Sequence, residues 1–151
     1  SIAITLRKLG IPSDWDIKVL ATDLDSEVLA KAQAAIYSVT DVDGLDNITV
    51  KNYFQRSEER REVKVKESVK RHIHFKRLNL LEKWPMSGPF DFIFCRNVVI
   101  YFDKPTQKVL FDRYAEILAI GGYLFVGHSE NLHGISERFE NLGNIIYRKI
   151  R

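Results

Sequence analysis

Short apolar runs separated by amphipathic helical stripes leave this chain few choices of fold. Ile17 to Thr22 (IKVLAT), Phe90 to Cys95 (FDFIFC) and Tyr123 to Val126 each read as a short buried strand. Val28, Leu29, Ala32, Ala35 and Ile36 form one apolar stripe, predicting a helix from Ser26 to about Ile36. Val109, Leu110, Tyr114, Ile117 and Leu118 form a second, opened by Pro105 and capped by Asp103, with Gly121-Gly122 as its terminator. Strand, helix, strand, helix, strand in this rhythm calls for a parallel sheet with crossover helices, an α/β fold.

The remaining segments are shorter. Ile2, Leu6 and Leu9 recur at helical spacing before Gly10 and Pro12 stop the pattern, as in the last turns of a helix. Asp25 or Ser26 can cap the helix after the first strand. From Val63 the period becomes two: Val63 and Val65 alternate with Lys64 and Lys66, and Ile73 and Phe75 with His72 and His74. This predicts a small antiparallel hairpin within residues 54–76, apolar on one face and basic on the other. A one-turn helix is expected around Ile135 to Phe139, and a last strand over Ile145, Ile146, Tyr147 and Ile150.

Composition narrows the function classes. The length of 151 residues suits one domain with one core. No apolar run approaches the roughly 18 residues of a membrane span, which argues against membrane insertion. The N-terminus lacks the basic n-region and small-residue cleavage site of a signal peptide. A single cysteine, Cys95, inside an apolar run, reads as a small core residue in a reducing compartment such as the cytoplasm. The net charge is only +3, yet Arg56 to Arg77 holds nine Lys/Arg against four Glu, so the basicity belongs to that segment. The segment is either a solvated face or a docking surface.

Open α/β sheets bind ligands at the carboxyl ends of their strands. Asp23 stands at such an end, where an acceptor-only carboxylate suits the two hydroxyls of a ribose, or else caps a helix. Arg96 and Asn97 close the Phe90–Cys95 run, and they are either ligand-binding groups or a solvated turn. No G-x-G-x-x-G and no P-loop occurs. His72 and His74 lack a third metal ligand and read as exposed side chains. His128-Ser129-Glu130 are neighbours in sequence and cannot converge as a catalytic triad, so they read as a polar loop.

In this order ATDLDSEVLAKAQAAIY, the NLL of Asn79 to Leu81, GPFDFIFCRNVVIYFDK, GGYLFVGHSE and a terminal strand reaching Tyr147 resemble the C-terminal catalytic domain of the CheR family of chemotaxis receptor methyltransferases. The resemblance implies a Rossmann-like S-adenosylmethionine-dependent methyltransferase sheet over 1–151, with a small inserted antiparallel β-subdomain at 54–76. It implies methyl transfer from S-adenosylmethionine, leaving S-adenosylhomocysteine, to glutamate carboxylates of chemoreceptors. Cofactor-binding roles fall to Asp23 (ribose), Asn79 and Leu80 (adenine), Arg96 and Asn97. Catalytic roles fall to Tyr101, beside the transferred methyl, and to Arg96, as a bidentate donor to a carboxylate. The implied partner is a chemoreceptor cytoplasmic domain, met through the basic β-subdomain. That hairpin holds no glycine between Tyr53 and Phe75, unlike members that bind a receptor tail peptide.

The family's Gly-rich loop, first strand and helical N-terminal domain have no counterpart in these residues. The chain by itself is therefore expected to be truncated at the sheet's N-terminal side and inactive, with open strand edges that invite self-association. Two other classes fit the sequence less well. A non-catalytic partner-binding module is disfavoured by the presence of Asp23, Arg96, Asn97 and Tyr101. A nucleic-acid methyltransferase is disfavoured because the strand end reads CRNVVIYF where an N/D-P-P-Y-like motif would stand.

Overall fold

The computed structural model describes every residue except 13, 14, 58, 131, 133 and 135. The chain forms two compact units, Ser1–Asn79 and Leu80–Arg151. Among the described residues no helix is long and apolar enough to cross a membrane.

In the first unit, helix α1 (Ile2–Lys8) precedes strand β1 (Val19–Asp23) and helix α2 (Ser26–Ala34). The cap of α2 is Asp25, whose carboxylate accepts from the N–H groups of Glu27 at 2.7 Å and Val28 at 3.4 Å. The helix ends two residues before the expected Ile36. Ala35 takes a left-handed conformation with φ 54 and turns the chain into β2 (Ile36–Ser38). Of the predicted stripe only Ala35 is buried; Val28 and Ile36 are 45% and 48% exposed.

Helix α3 (Asn47–Tyr53), β3 (Phe54–Ser57), β4 (Glu62–Val65), the single turn α4 (Glu67–Lys70) and β5 (Ile73–Arg77) complete this unit. The predicted hairpin between the Val63 and Ile73 runs does not form. Strand β4 instead lies between β2 and β3, antiparallel to both, and β5 pairs in parallel with β1. A period of two identifies a strand with unlike faces but not its partner, and here two similar alternations belong to different sheets. Of the expected insert at 54–76, residues 54–57 and 62–65 lie in the antiparallel sheet, which also recruits Ile36–Ser38. Val42, Val50, Phe54 and Val63 form its core.

The second unit is a four-stranded sheet with one long helix. Strand β6 (Phe90–Cys95) pairs in parallel with β7 (Leu118–Val126), and α5 (Lys104–Ile117) makes the crossover between them. The last strands, β8 (Phe139–Gly143) and β9 (Ile146–Lys149), add antiparallel in the order β6-β7-β9-β8. Phe139 opens β8, so the helix expected up to that residue is not there, and Ile135 lies outside the described residues. Helix α5 buries Leu110, Phe111, Tyr114 and Ala115, while Val109, expected on the same stripe, is 53% exposed. Burial of Leu110, Phe111, Leu118 and Leu124 is worth about 1.5–3 kcal/mol each.

Gly121-Gly122 do not end the helix. Helix α5 stops at Ile117, and the two glycines lie inside β7 at an irregularity, where the β6 partners jump from Leu118 to Tyr123. Gly121 has φ +80, and a Cβ at Gly122 would come within 2.9 Å of the carbonyl oxygens of both Ala119 and Asp91. Glycine is thus what lets this strand bulge. Strand β6 is also less enclosed than its composition predicts. Ile93 and Cys95 face the core, whereas Phe92 and Phe94 are 51% and 49% exposed and stack on Tyr123 and Phe125 with centroids 5.8 and 4.5 Å apart.

Candidate functional site

Among the described residues each unit contains one parallel strand pair; the first ends in polar residues, and the second is followed by them. In the first unit β1 and β5 stop in register at Asp23 and Arg77. The N–H of Leu78 donates to the Asp23 carbonyl at 3.0 Å, and Arg77 Nε donates to the Leu24 carbonyl at 3.0 Å. Residues 78 and 79 therefore leave the sheet at the end where Asp23 stands, which brings Asp23 and Asn79 to one strand end. Asp23 is exposed, with Oδ1 accepting from the Asp25 N–H at 2.9 Å. Since Asp25 caps α2, Asp23 keeps most of its acceptor capacity for another partner.

The second unit opens with Leu80, half-buried against the core. Its carbonyl accepts from Trp84 Nε1 at 3.1 Å and Arg113 Nη1 at 3.0 Å, and the Arg113 guanidinium lies 5.8 Å from the Trp84 ring centroid. Strand β6 ends at Cys95; Arg96 and Asn97 follow, both exposed. Asn97 has φ 59, a left-handed conformation that asparagine tolerates better than most residues. A 3-10 turn, Val99–Tyr101, then presents Tyr101 at 80% exposure before Asp103 caps α5 through the Thr106 N–H at 3.0 Å.

The neighbouring end of β7 supplies a residue that the sequence reading passed over. His128 and Ser129 are exposed, but Glu130 is only 6% exposed, so the GHSE segment is not a uniformly solvated loop. Glu130 Oε1 accepts from the N–H groups of Val98 at 2.9 Å and Val99 at 2.8 Å. Oε2 accepts from Asn97 N–H at 3.2 Å and, more closely, from Gly127 N–H. A Cβ at Gly127 would meet Asn97 Oδ1 at 2.7 Å and Glu130 Oε2 at 2.8 Å. The available sequence signal was an acid three residues beyond a glycine, at the end of the strand next to CRN.

Cys95 is buried, and its Sγ accepts from the Tyr114 hydroxyl at 3.0 Å. Burial pushes the thiol up from an ordinary 9.0 to about 11, so it stays protonated at neutral pH and unreactive. Among the described residues no group of three or more His, Cys, Asp or Glu side chains is placed to hold a metal ion. An open cleft of about 320 Å³ lies beside β5, with Lys70, Arg71, His74 and Lys76 and one acid, Glu67, on its walls.

Residues 1–147 match the family described as CheR methyltransferase, SAM binding domain. A "Probable chemotaxis protein methyltransferase" from Rhizobium etli is 44% identical over 153 residues, which span 98% of this chain and 57% of that protein. The chemotaxis protein methyltransferases of Salmonella typhimurium and Escherichia coli are 43% and 42% identical, over 97% of this chain and 52% of theirs. The chain thus spans about half the length of the curated relatives it matches. Among solved structures, the N-methyltransferase NodS from Bradyrhizobium japonicum is similar over 99% of this chain and 95% of that one, at a TM-score of 0.47 and 14% identity, too distant to bear on function.

The cofactor of that family, S-adenosylmethionine, is a nucleoside that also carries a sulfonium cation and a carboxylate. Each unit by itself holds groups suited to part of that chemistry: in the first, the exposed acceptor-only carboxylate of Asp23; in the second, the half-buried side chain of Leu80 on a pinned backbone and the exposed guanidinium of Arg96. With the family match running through residue 147 and relatives at 42–44% identity, the chain belongs to the CheR methyltransferase family, over its SAM-binding domain.

Proposed function

We propose that the protein containing this chain methylates glutamate side chains of chemotaxis receptors. Within the family match, the observation that carries this reading is the clustering of polar residues at the carboxyl ends of both parallel strand pairs. Asp23 accepts from the ribose hydroxyls, Asn79 and Leu80 line the adenine, and Arg96 and Asn97 complete the cofactor contacts. Bound S-adenosylmethionine supplies a methyl group already activated by the positive charge on its sulfur.

The residues of this chain then have a modest chemical task. A glutamate carboxylate is ionised at neutral pH, so no general base is required. Arg96 holds a carboxylate through two parallel N–H donors, and Tyr101 orients the acceptor without taking a proton. Alignment of acceptor oxygen with methyl carbon, in a site poor in water, is the main contribution of the protein.

The receptor's cytoplasmic domain is the partner, met through the antiparallel β-subdomain and the cleft beside β5, where Arg71 and Lys76 favour an acidic surface while Lys70 is paired with Glu67. The 151-residue chain alone is inactive, because none of its residues supplies the family's Gly-rich loop, and it self-associates through the open edges of β1 and β6.

The test uses methyl-labelled S-adenosylmethionine with the longer protein and a receptor cytoplasmic fragment. Label should appear on the receptor, be released by mild alkali as expected of an ester, and vanish when the acceptor glutamates are changed to glutamine. Alkali-stable label, or none, would overturn the reading.

A further inference from the structure

Glu130 is a buried carboxylate to which no lysine or arginine among the described residues is paired. Burial of an unpaired charge is costly unless hydrogen bonds compensate it. Here four backbone N–H groups do so, two on each oxygen: Val98 and Val99 on Oε1, Asn97 and Gly127 on Oε2. Three of the four donors belong to the segment between Arg96 and Tyr101. The same segment is held from its other side by Gln107, whose Nε2 donates to the carbonyls of Val99 at 3.0 Å and Phe102 at 2.9 Å. A carboxylate and a carboxamide thus fix the turn by its donors and its acceptors in turn, and Asn97 is kept in its left-handed conformation.

We propose that Glu130 is a positioning residue for methyl transfer: by gripping the Asn97–Val99 backbone it sets the directions from which Arg96, Asn97 and Tyr101 reach cofactor and substrate. This rests on the function proposed above. The grip needs an acceptor-only group with two oxygens. A glutamine would aim its NH₂ at two N–H donors whichever way it turned. Gly127 belongs to the same device, since any Cβ there enters the space between Glu130 and Asn97.

The test compares wild type with Glu130→Gln, and with Glu130→Asp as a second variant that keeps both acceptors but is a methylene shorter. In ¹H–¹⁵N spectra of the chain, the amides of Asn97, Val98, Val99 and Gly127 should move and exchange faster in either variant. The amides of Leu110 and Leu124, in the core, should hold. In the longer protein, the Kd for S-adenosylmethionine should rise about tenfold, the scale of one lost charge-assisted hydrogen bond, and kcat should fall with it. Shifted amides with an unchanged Kd would make Glu130 structural only, and unchanged amides would remove the grip; either overturns the inference. Failure of the wild-type longer protein to bind S-adenosylmethionine would instead overturn the underlying function.

Discussion

Two residues show how far side-chain identity alone can be read. Cys95 is legible: one cysteine inside an apolar run packs as a small hydrophobe, and here it is buried beneath the Tyr114 hydroxyl. Because burial holds the folded thiol near 11 while an unfolded thiol titrates near 9.0, the folded state retains its proton as pH rises between these values. Stability contributed by Cys95 is therefore intact below about 9 and declines toward about 11. At pH 8 the native chain should resist thiol reagents and become reactive on unfolding; fast native labelling would contradict this. Glu130 is not legible, because a buried acid satisfied by backbone amides leaves no pattern in its own neighbours' side chains. The same device predicts that Gly127→Ala, which forces a Cβ to within 2.8 Å of Oε2, destabilises the second unit by about 1–3 kcal/mol in chemical denaturation.

At the scale of elements, the caps of α2, offered to Asp25 or Ser26, and of α5, at Asp103, are legible because their mechanism is local, and Asp25 takes the first. A third, Asp46, accepts backbone N–H groups at the start of α3, a helix for which the sequence offers no clear stripe. Hydrogen bonds from the Thr49 side chain and backbone hold the Asp46 carboxyl down from 3.8 to about 2, and those from Thr106 lower Asp103 as well. A lowered carboxyl pKa stabilises the fold above the unfolded value, and that stability is lost as pH falls through the folded one. Acid titration should therefore weaken α3 between about 4 and about 2, and Asp46→Asn, which keeps the cap but cannot titrate, should flatten that part of the curve. An identical acid profile for the two proteins would contradict the assignment. Strand partnership, by contrast, was not local. Val63–Val65 and Ile73–Phe75 have the same alternation, yet one joins an antiparallel sheet and the other pairs with β1, a choice settled by long-range packing. Gly121-Gly122 misled for a related reason: a bulge and a helix stop ask for the same residue.

At the scale of the whole molecule, the α/β rhythm and the order of motifs carried the family assignment, which the match over residues 1–147 bears out. The strand-end residues follow from topology, since parallel pairing puts Asp23 and Asn79 at one carboxyl end, and Arg96, Asn97 and Glu130 at another. The open edges of β1 and β6 lead to a hydrodynamic expectation: the 151-residue chain should sediment with a concentration-dependent mass above its monomer value of 17.5 kDa. The central claim, that these strand ends hold S-adenosylmethionine, is met most directly by equilibrium titration. The longer protein should bind the cofactor saturably, Asp23→Asn should weaken binding roughly tenfold to a hundredfold, as loss of a charge-assisted pair of hydrogen bonds does, and the 151-residue chain should bind far more weakly than either. Equal affinity for wild type and Asp23→Asn would contradict the account.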